Sequence, residues 1–256
     1  MILPLIDQKR ERFASETVRI GSVPYLNARP LIYGLEKEVH LSHPSTLAQE
    51  LREGLVDVAL VPVAECLEYP AYNLVDGIGI TCRGPVHSVI LEHHVTLRKI
   101  KTVSLGSVSK TSAQLARVLL ESFLNLKVEY VPETTKADAN LLIGDAAIAR
   151  RAAHPDGRFW DLGQSWLEAT GLPFVFAVWA MRPDEKNRGT ADLLRTTAIA
   201  GLAARREIAQ TPEEYTYLTK HIRYQIGTEE KAGLLKFAQL LAEIGAIKQV
   251  PKLNWT

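Results

Sequence analysis

The sequence of 256 residues predicts an α/β protein with two lobes, a ligand cleft between the lobes and a group of C-terminal helices. Strand-like and helix-like segments alternate over residues 18–181, a pattern typical of parallel sheets whose strands are joined by helices. After Arg182 we find no strong strand signal and three helical stretches. The predicted division is a first lobe of residues 18–86 and 180–256, a second lobe of residues 87–179, and an N-terminal extension of residues 1–17.

The first third of the chain has a β-α-β-α-β pattern. Its predicted segments are, in order, residues 18–23, 27–35, 39–43, 45–54 and 56–64. Pro24 ends the first strand, and Thr46 and Gln49 have the spacing of a capping box in the longer helix. Gly54 stands where a helix commonly ends. The last segment is continuously apolar, which is typical of a strand buried on both faces.

The middle third repeats this alternation, and the last third is helical. The predicted strands are residues 88–95, 101–107, 128–132, 139–144 and 173–181. The predicted helices are residues 109–125, the segment that starts at Asp145, and stretches around residues 190–210, 211–219 and 228–244. We therefore expect the chain to cross between the lobes twice, near residues 85–91 and 173–181.

The composition excludes several classes of protein. Lys and Arg together number 30 and Asp and Glu number 29, so the formal net charge is +1, and hydrophobic residues make up 46%. A nucleic-acid-binding protein normally has a basic excess, and a disordered chain has fewer apolar residues. No apolar run approaches the ~20 residues that a transmembrane helix needs. We expect a globular protein with no nucleic-acid partner and no membrane partner.

The N-terminus and the cysteines predict a cytoplasmic protein. Residues 1–6 are apolar, but the largely charged residues 7–12 follow them, which is the reverse of the order in a secretory signal. Cys66 and Cys82 lack CxxC spacing and are too few for a disulfide framework. We expect both to be reduced thiols.

Candidate ligand-binding residues lie at the predicted strand ends, because open α/β sheets bind ligands there. These residues are Tyr25, Asn27, Ser88, Gly144 and Asp145. Asn and Asp are also common N-cap residues, so a purely structural role for Asn27 and for Asp145 is the alternative.

The segment LGSVSKTSAQ indicates an anion site between a strand and a helix. Its polar residues are Ser107, Ser109, Lys110, Thr111 and Ser112. A helix N-terminus has unpaired N–H groups and the positive end of the helix dipole, which together attract anions. The alternative is a plain helix cap made by Thr111 and Gln114. We favour a carboxylate or phosphate ligand, because one cap does not need four hydroxyls.

Other chemistries lack their motifs. The histidines show no HExxH or Cys/His metal spacing, and no GxSxG nucleophile elbow occurs. Gly77 and Gly79 do not form a dinucleotide fingerprint, since the third glycine is missing. We predict no metal ion and no organic cofactor.

Several stretches together are similar to a known family. They are RIGSVPYLNARPL, the run LREGLVDVALVP, RGPVHSVIL, SLGSVSKTSAQLARVLL, LLIGDAAI and WDLGQSWLEATGLPFVFAVWA, within about residues 18–182. They resemble the chorismate dehydratases of the futalosine route to menaquinone, enzymes with the periplasmic-binding-protein type II fold that work inside the cell. The sequence departs from the family pattern at Ala28, where serine is frequent, and at His87, where arginine is frequent.

The resemblance implies a hydro-lyase that converts chorismate, a small dicarboxylate, to 3-[(1-carboxyvinyl)oxy]benzoate and water. It implies that Asn27 is the catalytic candidate, which polarises the leaving hydroxyl or orients the ring. The implied substrate-binding residues are Ser88, Ser109, Thr111, Ser112, Gly144 and Asp145. Tyr25, at a strand end, and Lys110, in the predicted anion site, complete our set of predicted substrate-binding residues. No strong side-chain base stands in the matched motifs, and a substrate carboxylate is one candidate for the proton acceptor.

Other functions stay open at this point. The related naphthoate synthase of the same pathway shares the fold, but a threonine pair after a histidine is expected there in place of SKTSAQ. A non-enzymatic solute-binding protein for a small anion is the second alternative. The effector domain of a transcription regulator needs a DNA-binding module, and 17 residues precede the first predicted strand. The oligomeric state is also open, a homodimer included.

Overall fold

The computed structural model describes residues 18–106, 109–184, 187 and 189–256, which form two β-sheets surrounded by helices. The strands are β1 (Ile20–Ser22), β2 (Val39–Leu41), β3 (Val58–Pro62), β4 (Asn73–Cys82), β5 (Val89–His93), β6 (Thr102–Ser104), β7 (Glu129–Val131), β8 (Ala139–Ile143), β9 (Phe159–Asp161), β10 (Phe174–Met181), β11 (Arg223–Ile226) and β12 (Asn254–Trp255). The α-helices are α1 (Pro44–Glu53), α2 (Val63–Glu68), α3 (Lys110–Val118), α4 (Gly144–Ala153), α5 (Leu162–Thr170), α6 (Thr190–Ala203), α7 (Arg205–Ile208), α8 (Pro212–Thr216) and α9 (Thr228–Glu243). The described residues also form two short 3₁₀ helices, Leu26–Leu31 and Leu97–Lys99, and two π-helical turns, Leu119–Phe123 and Tyr217–His221.

Both sheets are mixed. The first has the order β11-β4-β10-β3-β1-β2, with β12 beside β4, and the second has the order β7-β6-β8-β5-β9. The predicted parallel pairing is found between β1 and its neighbours and between β6 and its neighbours. The strands next to the crossings pair antiparallel with their neighbours: β5 with β8 and β9, and β10 with β3 and β4. The two-lobed α/β architecture is therefore confirmed, with antiparallel strands added to each parallel unit.

Strand β10 lies in the first sheet along its whole length. Residues from Ala177 to Met181 pair with β3, and residues from Phe174 to Met181 pair with β4. All but Ala177 are buried, as an apolar strand in the middle of a sheet requires. The second crossing therefore comes before Phe174, and the predicted lobe boundary at residues 179 and 180 falls inside this strand.

Several elements escape the sequence patterns. They are α2, β4, β9, α5, β11 and β12. The apolar sequence pattern of β4 is interrupted at Gly77, whose φ is +86°, and at Gly79, where a Cβ atom would lie 2.7 Å from the carbonyl oxygen of Ala177. Its pattern is therefore not a simple apolar run. The expectation of no strand after Arg182 is wrong, since β11 and β12 both follow it. Strand β11 escapes prediction because its alternation of exposed and buried residues covers only four positions.

Two helix boundaries differ from prediction for local reasons. Helix α1 begins at Pro44 and no side chain caps it, so the capping box of Thr46 and Gln49 is wrong. Proline is preorganised for the first helical position, and it starts the helix before those residues. Gly54 ends the helix in the left-handed conformation, as predicted, with φ of 75°. Val63 begins helix α2 and does not continue β3.

An aromatic cluster packs the second crossing against the core. Trp166 of α5, Phe174 of β10 and Phe237 of α9 are almost fully buried. Their ring centroids lie 5.1 Å apart for Trp166 and Phe174, and 5.0 Å apart for Phe174 and Phe237, in edge-to-face geometry. Trp166 also donates its indole N–H to the carbonyl oxygen of Pro173 at 3.2 Å. Such aromatic pairs contribute about 0.5–1.5 kcal/mol each beyond the area they bury.

Candidate ligand cleft

A cavity lies where the two sheets meet, and its described lining is mainly apolar. It has about 540 Å³ of empty space, including its open mouth. Leu60, Ile80 and Phe176 contribute apolar walls from three strands of the first sheet. The polar side chains in the lining are those of Tyr25, Asn27, Ser88, Ser109 and Ser112. None of the described lining residues is charged, so polar recognition here depends on hydroxyls, one amide and backbone groups.

Asn27 enters this cavity from the 3₁₀ helix that follows β1. The residue at the N-cap position is Tyr25, and Asn27 lies inside the helix, so the N-cap alternative for Asn27 is wrong. Its Nδ2 donates to the hydroxyl oxygen of Tyr217 at 3.2 Å. Its Oδ1 is buried without a hydrogen-bond partner among the described residues. A buried amide oxygen without a partner is costly, which is typical of an atom that serves a ligand.

Ser88 lines the same cavity as Asn27 and lies at the first crossing between the lobes. The backbone N–H groups of Val86 and His87 donate to the two carboxylate oxygens of Asp161, at 3.0 and 2.8 Å. His87 has a φ of +62°, and the N–H of Ser88 donates to the carbonyl oxygen of Val86 at 2.7 Å. This tight turn directs Ser88, which is 1% exposed, into the cavity wall.

Tyr217 connects these two residues, and the sequence patterns did not identify it. Its hydroxyl donates to Oγ of Ser88 at 2.7 Å and accepts the hydrogen bond from Asn27. Burial is the largest cause that raises the pKa of the Tyr217 phenol well above its usual range, so the hydroxyl stays protonated. The residue lies in a π-helical turn far from any predicted strand end, which is why strand-end reasoning missed it.

Helix α3 directs only part of its polar first turn toward the cavity. Ser109 and Ser112 line it. Thr111 is fully buried and its Oγ1 accepts the backbone N–H of Ala64 at 3.0 Å, so the alternative of a helix cap made by Thr111 and Gln114 is wrong. Lys110 forms an exposed ion pair with Glu68 and does not line the cavity. Ser107 lies outside the described residues.

Gly144 and Asp145 follow β8, and only the glycine reaches the cavity. Gly144 has a φ of +60°, and a Cβ atom there would lie 3.5 Å from the ring of Tyr25. Asp145 is exposed and accepts the backbone N–H of Leu26 at 3.4 Å, a contact between the second lobe and the 3₁₀ helix. Burial is the largest cause that raises the pKa of Tyr25, and the negative charge of Asp145 raises it further.

Two further features of the described part of the chain concern metal ligands and membrane-spanning helices. It contains no group of three or more His, Cys, Asp and Glu side chains placed to hold a metal ion. Among the same residues, no helix is both long enough and apolar enough to span a membrane.

Comparison with known proteins gives a family match over most of the chain. A family model described as menaquinone biosynthesis matches residues 18–243. The chorismate dehydratase of Thermus thermophilus is 29% identical over 262 residues, covering 87% of this chain and 94% of that protein. The chorismate dehydratase of Campylobacter jejuni is 27% identical over 238 residues, covering 86% of this chain and 95% of that protein.

Solved structures agree on the fold. Protein AF1704 from Archaeoglobus fulgidus superimposes with a TM-score of 0.67 at 17% identity, covering 90% of this chain and 98% of that chain. The periplasmic aliphatic sulphonate binding protein of Escherichia coli gives a TM-score of 0.59 at 20% identity, covering 92% and 94%. These similarities show a periplasmic-binding-protein-like fold.

Proposed function

Because the chain belongs to the menaquinone biosynthesis family, we propose that it is a chorismate dehydratase, a hydro-lyase that converts chorismate to 3-[(1-carboxyvinyl)oxy]benzoate and water. Two relatives of similar length carry that name, which supports the proposal. The observation that carries it is the cavity between the sheets, where Asn27, Ser88 and the first turn of α3 converge on one mainly apolar space.

The lining suits a cyclic dicarboxylate. The apolar walls around Leu60, Ile80 and Phe176 accommodate a ring, and the first turn of α3 accommodates a carboxylate. The N–H groups and dipole at a helix N-terminus bind anions without a lysine or arginine. Ser109 and Ser112 add two hydroxyl donors there, so we assign the carboxylate contacts to these residues and not to Lys110 or Thr111.

The proposed reaction is an elimination in which a ring C–H bond and the ring C–OH bond both break. The electron pair of the C–H bond forms the new ring double bond, and the hydroxyl leaves with the proton as water. The described lining has no carboxylate, imidazole or amine. We therefore assign the proton transfer to a carboxylate of the substrate itself. Aromatisation provides the driving force, and the protein contributes mainly orientation.

The proposed setting is the cytoplasm, with the small dicarboxylate as the partner. Cys66 and Cys82 are both free thiols buried in the core, as is usual for proteins of a reducing compartment. Burial raises the pKa of both thiols, which keeps them protonated and unreactive.

The decisive experiment is incubation of the purified protein with chorismate. We expect loss of the cyclohexadiene absorption and, by mass spectrometry, a product lighter by one water that keeps both carboxylates. Binding of chorismate without conversion would support a solute-binding protein instead. If chorismate is neither bound nor converted, the proposal is contradicted, and the naphthoate synthase alternative is the next to test.

Site variants connect the activity to this cavity. Asn27→Ala and Ser88→Ala should lower kcat by about 100-fold each, the usual loss for one preorganised polar contact. The double variant Ser109→Ala with Ser112→Ala should mainly raise KM. The control is Thr196→Ala, which removes an exposed hydroxyl of α6 that bonds only its own helix. Wild-type kinetics for Asn27→Ala would contradict its assigned role.

A further inference from the structure

Tyr217 joins the two central polar residues of the cavity from behind its wall. The phenol oxygen lies 2.7 Å from Oγ of Ser88 and 3.2 Å from Nδ2 of Asn27. The side chain does not line the cavity, and the residue is 4% exposed. The three residues come from the first crossing, the 3₁₀ helix and the π-helical turn, so tertiary packing alone brings them together.

The number of protons in this chain of hydrogen bonds determines its direction. A protonated phenol has one hydrogen to donate. Its oxygen receives the N–H of Asn27, so its hydrogen goes to Ser88. Ser88 thus accepts from Tyr217 and keeps its own hydrogen for the cavity. Asn27 uses an N–H on Tyr217 and leaves Oδ1, which is buried and otherwise unpaired among the described residues, as an acceptor.

From this geometry we infer that Tyr217 is a positioning residue that makes Ser88 a hydrogen-bond donor and Asn27 a hydrogen-bond acceptor toward the substrate. The inference rests on the proposed function for the identity of the substrate. Ionised chorismate has a single hydrogen-bond donor, its ring hydroxyl, because its other oxygens are carboxylate and ether oxygens. Asn27 Oδ1 therefore pairs with the ring hydroxyl.

The same arrangement accounts for departure of the hydroxyl. With Asn27 holding the hydroxyl hydrogen, the hydroxyl oxygen has free lone pairs for the O–H of Ser88. A donor at that oxygen stabilises the negative charge that develops as the C–O bond breaks. The donor chain from Asn27 through Tyr217 to Ser88 strengthens each successive bond, because hydrogen bonds in series polarise one another. The product lacks the hydroxyl and leaves Oδ1 unpaired, which favours release.

Tyr217→Phe tests the inference, with Tyr224→Phe as the matched control. Tyr224 is another buried tyrosine, and its hydroxyl has no hydrogen-bond partner among the described residues. We expect Tyr217→Phe to lower kcat by about 10- to 100-fold with KM within about threefold. The cavity keeps its shape, but Ser88 and Asn27 lose the hydrogen bonds that orient them. Tyr224→Phe should keep wild-type kinetics. Equal kinetics for wild type and Tyr217→Phe would overturn the inference.

A double variant separates positioning from a general structural effect. If Tyr217 acts partly through Ser88, adding Tyr217→Phe to Ser88→Ala should lower kcat by a smaller factor than the same change does in the wild type, and the remaining loss reflects its effect on Asn27. Fully multiplicative losses would show that Tyr217 does not act through Ser88. Thermal unfolding of all variants identifies any loss that comes from a poorly folded chain.

A measurement without substrate separates this inference from the proposed function. In the NMR spectrum of the free protein, we expect a slowly exchanging Tyr217 hydroxyl proton close to an Asn27 side-chain amide proton. Tyr217→Phe should remove the first signal, and Asn27→Ala the second. Absence of both protected signals would overturn the arrangement, whereas failure of the wild type to convert chorismate would overturn only the proposed function.

Discussion

The imidazole rings of His87 and His221 stack with their centroids 3.7 Å apart and an angle of 30° between their planes. The stack joins the first crossing between the lobes to the π-helical turn, beside a second cavity that Arg151 also lines. Burial lowers the pKa of His87 to about 4, and the neighbouring His221 and Arg151 act in the same direction. His87 is therefore neutral near pH 7, and it precedes Ser88, which lines the main cavity.

This low pKa predicts acid sensitivity. Between about pH 4 and pH 6.5 the unfolded chain binds a proton at His87 that the folded protein does not, so the free energy of unfolding falls as the pH decreases through this range. His87→Asn, which tolerates a positive φ, should reduce that dependence. Urea unfolding at pH 7 and at pH 5 measures it. An equal decrease in wild type and variant would contradict the prediction.

Asp161 is predicted to stabilise the first crossing as well as helix α5. It accepts backbone N–H groups from Val86, His87, Gly163 and Gln164. Asp161→Ala should lower the free energy of unfolding by about 2–4 kcal/mol, from a lost cap and from amides left without partners. Asp161→Asn keeps one acceptor oxygen and should lose less. Urea unfolding checks both, with the exposed Asp192→Ala as control; a loss below 1 kcal/mol for Asp161→Ala is the contrary outcome.

Thr111 should matter for stability and not for substrate contact. Thr111→Val has nearly the same shape but leaves the buried N–H of Ala64 without its acceptor. We expect a loss of about 1–3 kcal/mol in unfolding free energy, with little change in KM. Thr111→Ser, which keeps the hydroxyl, should recover most of the stability. If KM rises sharply while stability is unchanged, the hydroxyl contacts the substrate after all.

Alanine substitutions at Gly144 and at Gly77 distinguish backbone strain from an effect on substrate binding. Both have positive φ, +60° and +86°. Alanine at either should cost about 1–2 kcal/mol of stability because of the left-handed backbone. Only Gly144 lines the cavity, where its Cβ would contact Tyr25. Chorismate kinetics should show a higher KM for Gly144→Ala alone, and a similar rise for Gly77→Ala would contradict this.

Sequence patterns predicted the strands that are buried over nearly their whole length. Strands β3 and β10 are continuously apolar, and their environment is nearly independent of which strands lie beside them. Strand β4 was missed because Gly77 and Gly79 break its apolar run. Gly77 has a positive φ, and Gly79 lies close to the carbonyl oxygen of Ala177, a contact that exists only in the assembled sheet. Strand β11 was missed because four alternating residues are too short a pattern to distinguish from a loop.

The candidate site was predicted in part. Asn27, Ser88 and Gly144 line the cavity because strand ends meet there. The polar run at α3 was read as a single group, but successive helical residues point in different directions. Ser109 and Ser112, three positions apart, share the face toward the cavity, while Lys110 and Thr111 point to Glu68 and Ala64.

The composition therefore determines the near-neutral charge. Local patterns determine the α/β class and the residues that stand at strand ends, because these depend on neighbours within a few positions. Tertiary packing decides which of those residues act together. It places Tyr217 against Asn27 and Ser88, and the number of donors at that contact sets which cavity atom donates and which accepts. The near-zero net charge matches a cavity whose described lining has hydroxyls and an amide but no ion.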